Sequence, residues 1–155
     1  EQLDRPEVLY WEPASQFVAA FVVQMNFIRG RHQSEGWETE LGAFTGEVTS
    51  AALDTLPPAL TIGMERILGV RQDNLRVQES GDDRPANGRI LSREFLGRDY
   101  RYTLELRPHP NFATDSPKVL QALVPLGDRT AGPFDIGDRV NITLGDAPLQ
   151  GFPKP

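Results

Sequence analysis

The spacing of hydrophobic residues changes early in the chain and divides it into two parts. In residues 5–23, Phe17 and Phe21 recur four positions apart within an apolar stripe, which is typical of one face of a helix. Pro6 and Pro13 stand where they suit the first turns of two short helices, because the missing N–H of proline costs nothing there. The pattern therefore predicts two short N-terminal helices.

The rest of the chain has the two-residue period of strands. In residues 99–107, tyrosine and leucine alternate with arginine, threonine and glutamate, which indicates a half-buried strand. Residues 88–96 precede it across the pair Gly97-Arg98, and the two segments predict a hairpin with positive φ at Gly97.

Other strands and loops are shorter. Strands are predicted at 25–28, 37–41, 66–71, 74–78, 118–124 and 140–144, and loops at 54–58, 79–88, 108–116 and 127–132. About eight short strands at this spacing are typical of a small antiparallel barrel or a pair of Greek-key barrels. We expect a mainly β domain over residues 24–150, a separate helical segment over 1–23 and a frayed C-terminus over 151–155.

Composition narrows the classes of function. The chain has 155 residues, enough for one domain with a real core. Its net charge of −6 argues against general binding of nucleic acid, which needs a cationic surface. It has no cysteine, which excludes disulfides and thiolate chemistry. The longest apolar run, Phe17 to Val23, is far shorter than the ~20 residues of a membrane span, and no signal peptide is recognisable. We therefore expect a soluble domain.

Arginine is concentrated in one stretch of this acidic chain. Residues 84–107 contain six arginines and three acidic residues. Two interpretations are open: a docking patch, or the solvated face of a strand pair, where alternate positions must be polar. Arg98 and Arg101 are the candidate interface residues of this stretch, together with Phe17 and Phe21 of the helical segment.

Catalytic and metal-binding patterns are not recognisable. The sequence has no glycine-rich phosphate loop ending in Lys-Ser or Lys-Thr. His32 and His109 lack a ligand spacing to each other. Glu35, Glu38 and Glu40 lie near His32 and could form an oxygen-rich cation site. Because Glu38 and Glu40 are expected to face outward together, opposite Trp37, a solvated strand face is the favoured interpretation.

Three motifs resemble a known family. The first contains Pro6, Glu7, Tyr10, Trp11, Pro13, Ala14, Ser15, Phe17, Val18, Ala19, Phe21, Asn26, Phe27 and Gly30. It is similar to the segment that ends the ATPase domain in ATP-binding subunits of ABC importers. Residues 70–75, Val-Arg-Gln-Asp-Asn-Leu, resemble a second family motif with Gln in place of Pro. Leu96-Gly97, residues 100–106 and residues 137–140 resemble the closing strands of the transport-associated OB (TOBE) domain.

The resemblance implies a fold and a role. The fold is mainly β, one or more small antiparallel OB-like barrels preceded by the two helices, and residues 1–23 would be the helical tail of an ATPase domain that this chain lacks. The chain also opens at Glu1 without an initiator methionine. The role would be regulatory and non-catalytic, most like the ferric-iron branch, with the sulfate, polyamine and sugar branches open. No cofactor is expected in this chain, since ATP and magnesium would bind the missing domain.

The resemblance also implies partners and a location. The expected partners are a second copy of the subunit, in a homodimer with or without swapped elements, and membrane permease subunits through the parent protein. Nucleic acid is not expected. The location would be cytoplasmic, peripheral to the inner face of the plasma membrane.

Two further hypotheses come from other classes of function. An oxyanion sensor would use backbone N–H groups of the loop from Gly127 to Gly132. An OB-type nucleic-acid binder would stack bases on Tyr100 and Tyr102 beside Arg98 and Arg101. Because both tyrosines share a face with leucines, we expect them in the core instead.

Overall fold

The computed structural model describes residues 25–49, 62–112, 116–128 and 132–152. Within these residues the architecture is mainly β, as the alternation predicted, and the helical structure is a short 3₁₀ turn, Gln72–Asn74. The two helices predicted in residues 5–23 lie outside the described residues. In the described part of the chain, no helix is long and apolar enough to cross a bilayer.

The first sheet is built from both ends of the described chain. Its strands are β1 Met25–Gln33, β2 Gly36–Thr39, β3 Gly42–Phe44, β4 Val48–Thr49, β5 Glu65–Arg71 and β11 Leu149–Phe152. They lie in the order β3-β2-β1-β5-β11-β4, and every pair is antiparallel except the short parallel pair β11–β4. In the long β1–β5 pair, Ile28 lies opposite Leu68. The sheet therefore joins segments that are far apart in sequence.

The second sheet contains the predicted hairpin. Its strands are β6 Leu75–Glu79, β7 Gly88–Phe95, β8 Asp99–Leu106, β9 Lys118–Pro125 and β10 Arg139–Leu144. They lie in the order β6-β10-β7-β8-β9 and all pairs are antiparallel. The hairpin β7–β8 is confirmed, and Gly97 in its turn has the expected positive φ, 93°. The register shifts between Ile90 and Ser92, where a bulge bends β7.

The edges of the second sheet face each other across a cleft. This cleft, about 370 Å³, is lined by Leu75 and Val77 of β6 and by Leu123 and Val124 of β9. A sheet whose two edges approach in this way is curled, which is consistent with the OB-like fold that the resemblance implies.

Both sheets contribute to one core. Side chains of a strand alternate between its two faces, so every second residue of β8 points inward. Tyr102, Leu104 and Leu106 are at most 2% exposed. The same core contains Ile28, Trp37, Leu41, Phe44, Leu68, Val70, Leu75, Val77, Ile90, Leu120, Ala122, Val124, Phe134, Val140, Ile142 and Leu149. Burying each larger apolar side chain contributes about 1.5–3 kcal/mol.

A buried side-chain amide helps to join the two sheets, as does Lys118 of β9, whose Nζ donates to the carbonyl oxygen of Phe27 at 3.0 Å. Asn26 on β1 is buried, and its Nδ2 donates to the carbonyl oxygen of Gln121 at 2.8 Å. The N–H of Gln121 donates to Asn26 Oδ1, also at 2.8 Å. Because β9 is the edge of its sheet, the outward N–H and C=O of Gln121 have no neighbouring strand. The Asn26 side chain supplies the donor and the acceptor that a neighbouring strand would otherwise provide to Gln121.

Glu40 was predicted to face solvent with Glu38, and this prediction is wrong. The chain turns sharply after β2: Thr39 Oγ1 donates to the carbonyl of Gly42 and accepts from the N–H of Leu41. Strand alternation therefore stops at Thr39, and the Glu40 side chain is only 4% exposed. Its Oε1 accepts from the N–H of Arg29 at 2.7 Å and lies 3.2 Å from Lys118 Nζ.

The last described residues differ from the frayed end that the sequence suggested. Gly151 and Phe152 are buried in β11, where they pair with Leu68 and Ile67 of β5. Residues 153–155 lie outside the described residues. The short strands β3, β4 and β11 were not predicted, because two to four residues are too few for a recognisable period.

Candidate functional site

The tip of the β7–β8 hairpin carries an exposed apolar patch. The N–H of Leu96 donates to Asp99 across the turn, and the N–H of Leu126, just after β9, donates to the carbonyl of Arg98. This bonding holds three apolar side chains together at one end of the sheet: Phe95 is 59%, Leu96 42% and Leu126 49% exposed. Phe95, Leu96, Leu126 and the exposed Arg98 are called the hairpin end below.

The two candidate interface arginines of this region differ in their surroundings. Arg98 is exposed at the turn, and its backbone carbonyl oxygen accepts a hydrogen bond from the N–H of Leu126. Arg101 is directed sideways along the sheet: its Nε donates to Gln72 Oε1 at 3.3 Å, and its Nη1 donates to Glu94 Oε1 at 3.1 Å. Arg98 is thus available to a partner, whereas Arg101 is already engaged within the domain.

Beneath the hairpin end lies a chain of aromatic rings. The ring of Phe95 contacts Tyr100 at 5.5 Å between centroids, Tyr100 contacts Tyr102 at 5.7 Å, and the Arg93 guanidinium lies 5.4 Å from the Tyr100 centroid. Tyr102 is fully buried, and its hydroxyl oxygen accepts from the N–H of Phe134 at 3.0 Å. Burial raises the pKa of the Tyr102 hydroxyl, outweighing the opposing hydrogen bond with Phe134. Tyr102 is therefore a core residue and not a platform for base stacking.

A second surface lies on the outer face of the same sheet, at the opposite end of β7. It is a groove of about 250 Å³ lined by Arg89, Arg107 and Arg139, with Glu105, Pro108 and Pro117 beside them. We call these six residues the arginine groove. Past Arg107 and Pro108, which line both, the surface continues into a hollow of about 330 Å³ that includes Pro85, Ala86 and Pro110.

The charges of the arginine groove are unbalanced. Arg89 Nε donates to Glu105 Oε1 at 2.8 Å, so one guanidinium has a carboxylate. Arg107 and Arg139 are exposed and have no ion-pair partner among the described residues. Arg139 also lies directly opposite Arg89 in the β10–β7 register, and like charges in that position destabilise a sheet. Counting the described residues alone, two positive charges of the groove are uncompensated.

The residues considered for a cation site are not brought together. Glu35 is exposed beyond β1, Glu38 Oε2 accepts from the Asn111 side chain, and Glu40 faces inward to Lys118. The His32 ring stacks on Trp37 at 4.7 Å, and His109 Nδ1 accepts from the N–H of Asn111. Among the described residues, no three His, Asp or Glu side chains cluster as metal ligands would.

Two candidate regions lie wholly or partly outside the described residues. Phe17 and Phe21 lie in residues 1–24, outside the described residues. Residues 129–131 of the proposed oxyanion loop also lie outside them. At the described start of that loop, the N–H of Asp128 is used within a turn, where it donates to Pro125.

Sequence reasoning missed several residues of these surfaces. Arg139 was not recognised as part of this surface, because its neighbour Arg89 lies 50 positions away and only the register brings the two together. Leu126 was missed because it follows its strand, where alternation no longer shows which side it faces. Two residues could have been found: Phe95 and Leu96 are adjacent apolar residues beside a turn, and an alternating strand does not bury both.

Comparison with known families agrees with this architecture. A sequence model of the TOBE domain family matches residues 68–152, more than half of the chain. The match runs from β5 through the whole second sheet to the end of β11. The chain belongs to the TOBE domain family.

The sequence is also similar to a curated transport protein. It is 26% identical over 121 residues to the "Spermidine/putrescine import ATP-binding protein PotA" of Pseudomonas fluorescens. The alignment covers 78% of this chain and 32% of that protein, so the chain spans about a third of the length of this relative.

Proposed function

We propose that this chain is the regulatory domain of the ATP-binding subunit of an ABC importer, with no catalysis of its own. The observation that carries the proposal is the TOBE match over residues 68–152, joined to an alignment with an importer ATP-binding protein over most of the chain. ATP and magnesium would then be bound by the parent's ATPase domain, on the cytoplasmic side of the membrane, and the permease subunits would be reached through that domain.

The proposed partner of the domain itself is a second copy of the subunit. The hairpin end supports this, because three exposed apolar side chains on a hydrogen-bonded hairpin suit the centre of an interface, and the exposed Arg98 suits its rim. A stable interface of this kind buries about 800 Å² per partner. Phe17 and Phe21 would tether the domain to the ATPase, or exchange with the partner copy in a swapped dimer.

The cargo of the importer is the finer part of the proposal. Residues 70–72 and 95–102 favour ferric iron, on their resemblance to that branch, whereas the name of the curated relative specifies spermidine and putrescine. Uptake of radiolabelled ferric iron and of spermidine, in cells with and without the full-length parent, separates the two. Loss of iron uptake alone supports the iron branch, and loss of spermidine uptake alone overturns it.

The regulatory role can be tested on the parent protein. We expect the 155-residue chain alone to hydrolyse no ATP, because it has no phosphate-binding loop. We expect the full-length parent without this domain to keep its hydrolysis but lose regulation by cargo and part of its dimer stability. Phosphate release, with and without cargo, measures hydrolysis and its regulation, and sedimentation measures dimer stability. Hydrolysis by the isolated chain, or a deletion that changes neither regulation nor assembly, contradicts the proposal.

The hairpin end gives a more local prediction. We expect Phe95→Ser combined with Leu126→Ser to weaken self-association of the chain at least about tenfold, because two apolar anchors are lost from the interface centre. Analytical ultracentrifugation over a concentration series measures the dimer constant.

The matched control changes two other exposed apolar side chains, Ile62→Ser with Val119→Ser, which are 49% and 58% exposed and lie outside the hairpin end. It should leave association unchanged. Equal weakening by both variants, or a strictly monomeric wild-type chain, argues against the hairpin end as the dimer contact.

A further inference from the structure

The arginine groove has a surplus of positive charge in a chain whose net charge is −6. Within the described lining there are three guanidiniums and one carboxylate, and that carboxylate accepts from Arg89 at 2.8 Å. Arg139 lies directly opposite Arg89, and the repulsion between the two guanidiniums lowers the stability of the free domain. An anionic partner bound between the arginines would offset this repulsion by attracting each of them.

The shape of the groove indicates what kind of anion fits. Arg89 and its neighbours are open to water, with 56% of the Arg89 side chain exposed, so a small free anion would gain little from these screened charges. A longer ligand that touches several arginines at once gains from each contact. The groove continues beside Pro108 into the hollow with Pro85, Ala86 and Pro110, so the two together offer a larger ligand more surface than the arginines alone.

The walls of the groove add apolar contact to charge. Pro108 and Pro117 present rigid apolar rings beside the arginines. Val119, 58% exposed, lies opposite Glu105 in the next strand and extends the surface on that side. A ligand that carries carboxylates together with an apolar side chain therefore matches both the charge and the surface.

We propose that the arginine groove binds an extended acidic peptide segment of a partner protein. Carboxylates of the segment pair with Arg107 and Arg139, which can each offer two parallel N–H donors. Its apolar side chains lie on the prolines. This surface is at the opposite end of β7 from the hairpin end, so the acidic segment and a second copy of the chain can bind together.

The test uses the 155-residue chain and fluorescein-labelled ten-residue peptides, measured by fluorescence anisotropy. One peptide carries four glutamates and a leucine, and the other carries glutamine in place of each glutamate. We expect saturable binding of the acidic peptide, weaker at higher salt because exposed charges are screened. Arg107→Glu with Arg139→Glu should weaken binding at least tenfold.

The matched control is Arg71→Glu with Arg76→Glu, which changes net charge equally at exposed ion pairs outside the groove. It should bind like the wild-type chain. Circular dichroism of both variants shows whether the fold is retained, and the milder pair Arg107→Gln with Arg139→Gln serves if the reversal does not fold.

Several results overturn the proposal. Binding that is equal for the glutamine peptide, or that is lost equally in the control variant, removes the groove as the cause. Absence of binding to the acidic peptide also overturns it. If pyrophosphate binds as tightly as the peptide with the same dependence on Arg107 and Arg139, the ligand is a small anion. If only phosphatidylglycerol vesicles bind, the partner is a membrane surface.

Discussion

Replacing Tyr102 with alanine is expected to lower the free energy of unfolding by about 3–5 kcal/mol, because the change empties the space of a fully buried ring. The same change also removes the acceptor of the Phe134 N–H and the ring contacts with Tyr100 and Phe134. Urea denaturation of the two proteins, followed by tryptophan fluorescence, measures the difference.

Tyr102→Phe is the control that separates the ring from its hydroxyl. It keeps the ring and leaves only the Phe134 N–H without its acceptor, at a cost of about 1–3 kcal/mol. It also has a signature in pH. Burial raises the pKa of Tyr102 in the folded state, so the neutral hydroxyl contributes to the free energy of unfolding. This contribution is fully present below the unfolded pKa of about 10 and is lost as pH rises through the folded pKa. In Tyr102→Phe, which cannot ionise, this loss of stability at alkaline pH should be absent. An equal cost for both substitutions would contradict the packing argument.

Replacing Asn26 with alanine is the second change with a large expected effect, about 2–4 kcal/mol of unfolding free energy. The side chain satisfies both the N–H and the C=O of Gln121 at 2.8 Å, and alanine would leave the two backbone groups unpaired beside β1. Because these bonds join the sheets, we also expect the amides of β9 to exchange hydrogen faster than those of β7 in the Asn26→Ala variant.

Asn26→Asp gives the matched comparison for this prediction. It keeps an acceptor for the Gln121 N–H but loses the donor to the Gln121 C=O, so it removes half of the arrangement while keeping the shape. Because a carboxylate charge at this buried site is costly and faces the Gln121 carbonyl oxygen, we expect the loss near neutral pH to be at least as large as for alanine. A loss below about 1 kcal/mol for Asn26→Ala, by denaturation, would show that the junction is held elsewhere.

The two proposed surfaces lie at opposite ends of the same strands. Arg89 is near the beginning of β7 and Phe95 at its end, six residues apart, or about 20 Å along a strand. We therefore expect the hairpin-end variants to leave peptide binding unchanged and the groove variants to leave self-association unchanged. Such independence would let the proposed regulatory domain hold a second copy of itself while it contacts another protein.

Local patterns were enough for much of the second sheet. The β7–β8 hairpin was predicted because its alternation is strict and Gly97 occupies the tight turn. The strands β5, β6, β9 and β10 were also predicted, β10 from its alternation and β5 from a short continuous apolar run. Where a strand alternates, as β8 and β10 do, the buried face follows from a two-residue period that neighbours along the chain share.

The surfaces required contacts that sequence spacing does not show. Glu40 obeys the strand pattern in sequence, yet the turn after Thr39 directs it inward to Lys118, 78 positions later. The candidate interface arginines were chosen together, but pairing with Glu94 and Gln72 separates Arg101 from Arg98.

The sequence by itself determined the mainly β class, the hairpin and the absence of a phosphate-binding loop, because each depends on residues close together along the chain. The tertiary structure decided that Asn26 joins the sheets, that Leu126 completes the hairpin end and that Arg139 lies beside Arg89. Those features depend on strand order and register. Both are set by burying one core shared by two sheets, a global condition that no local period contains.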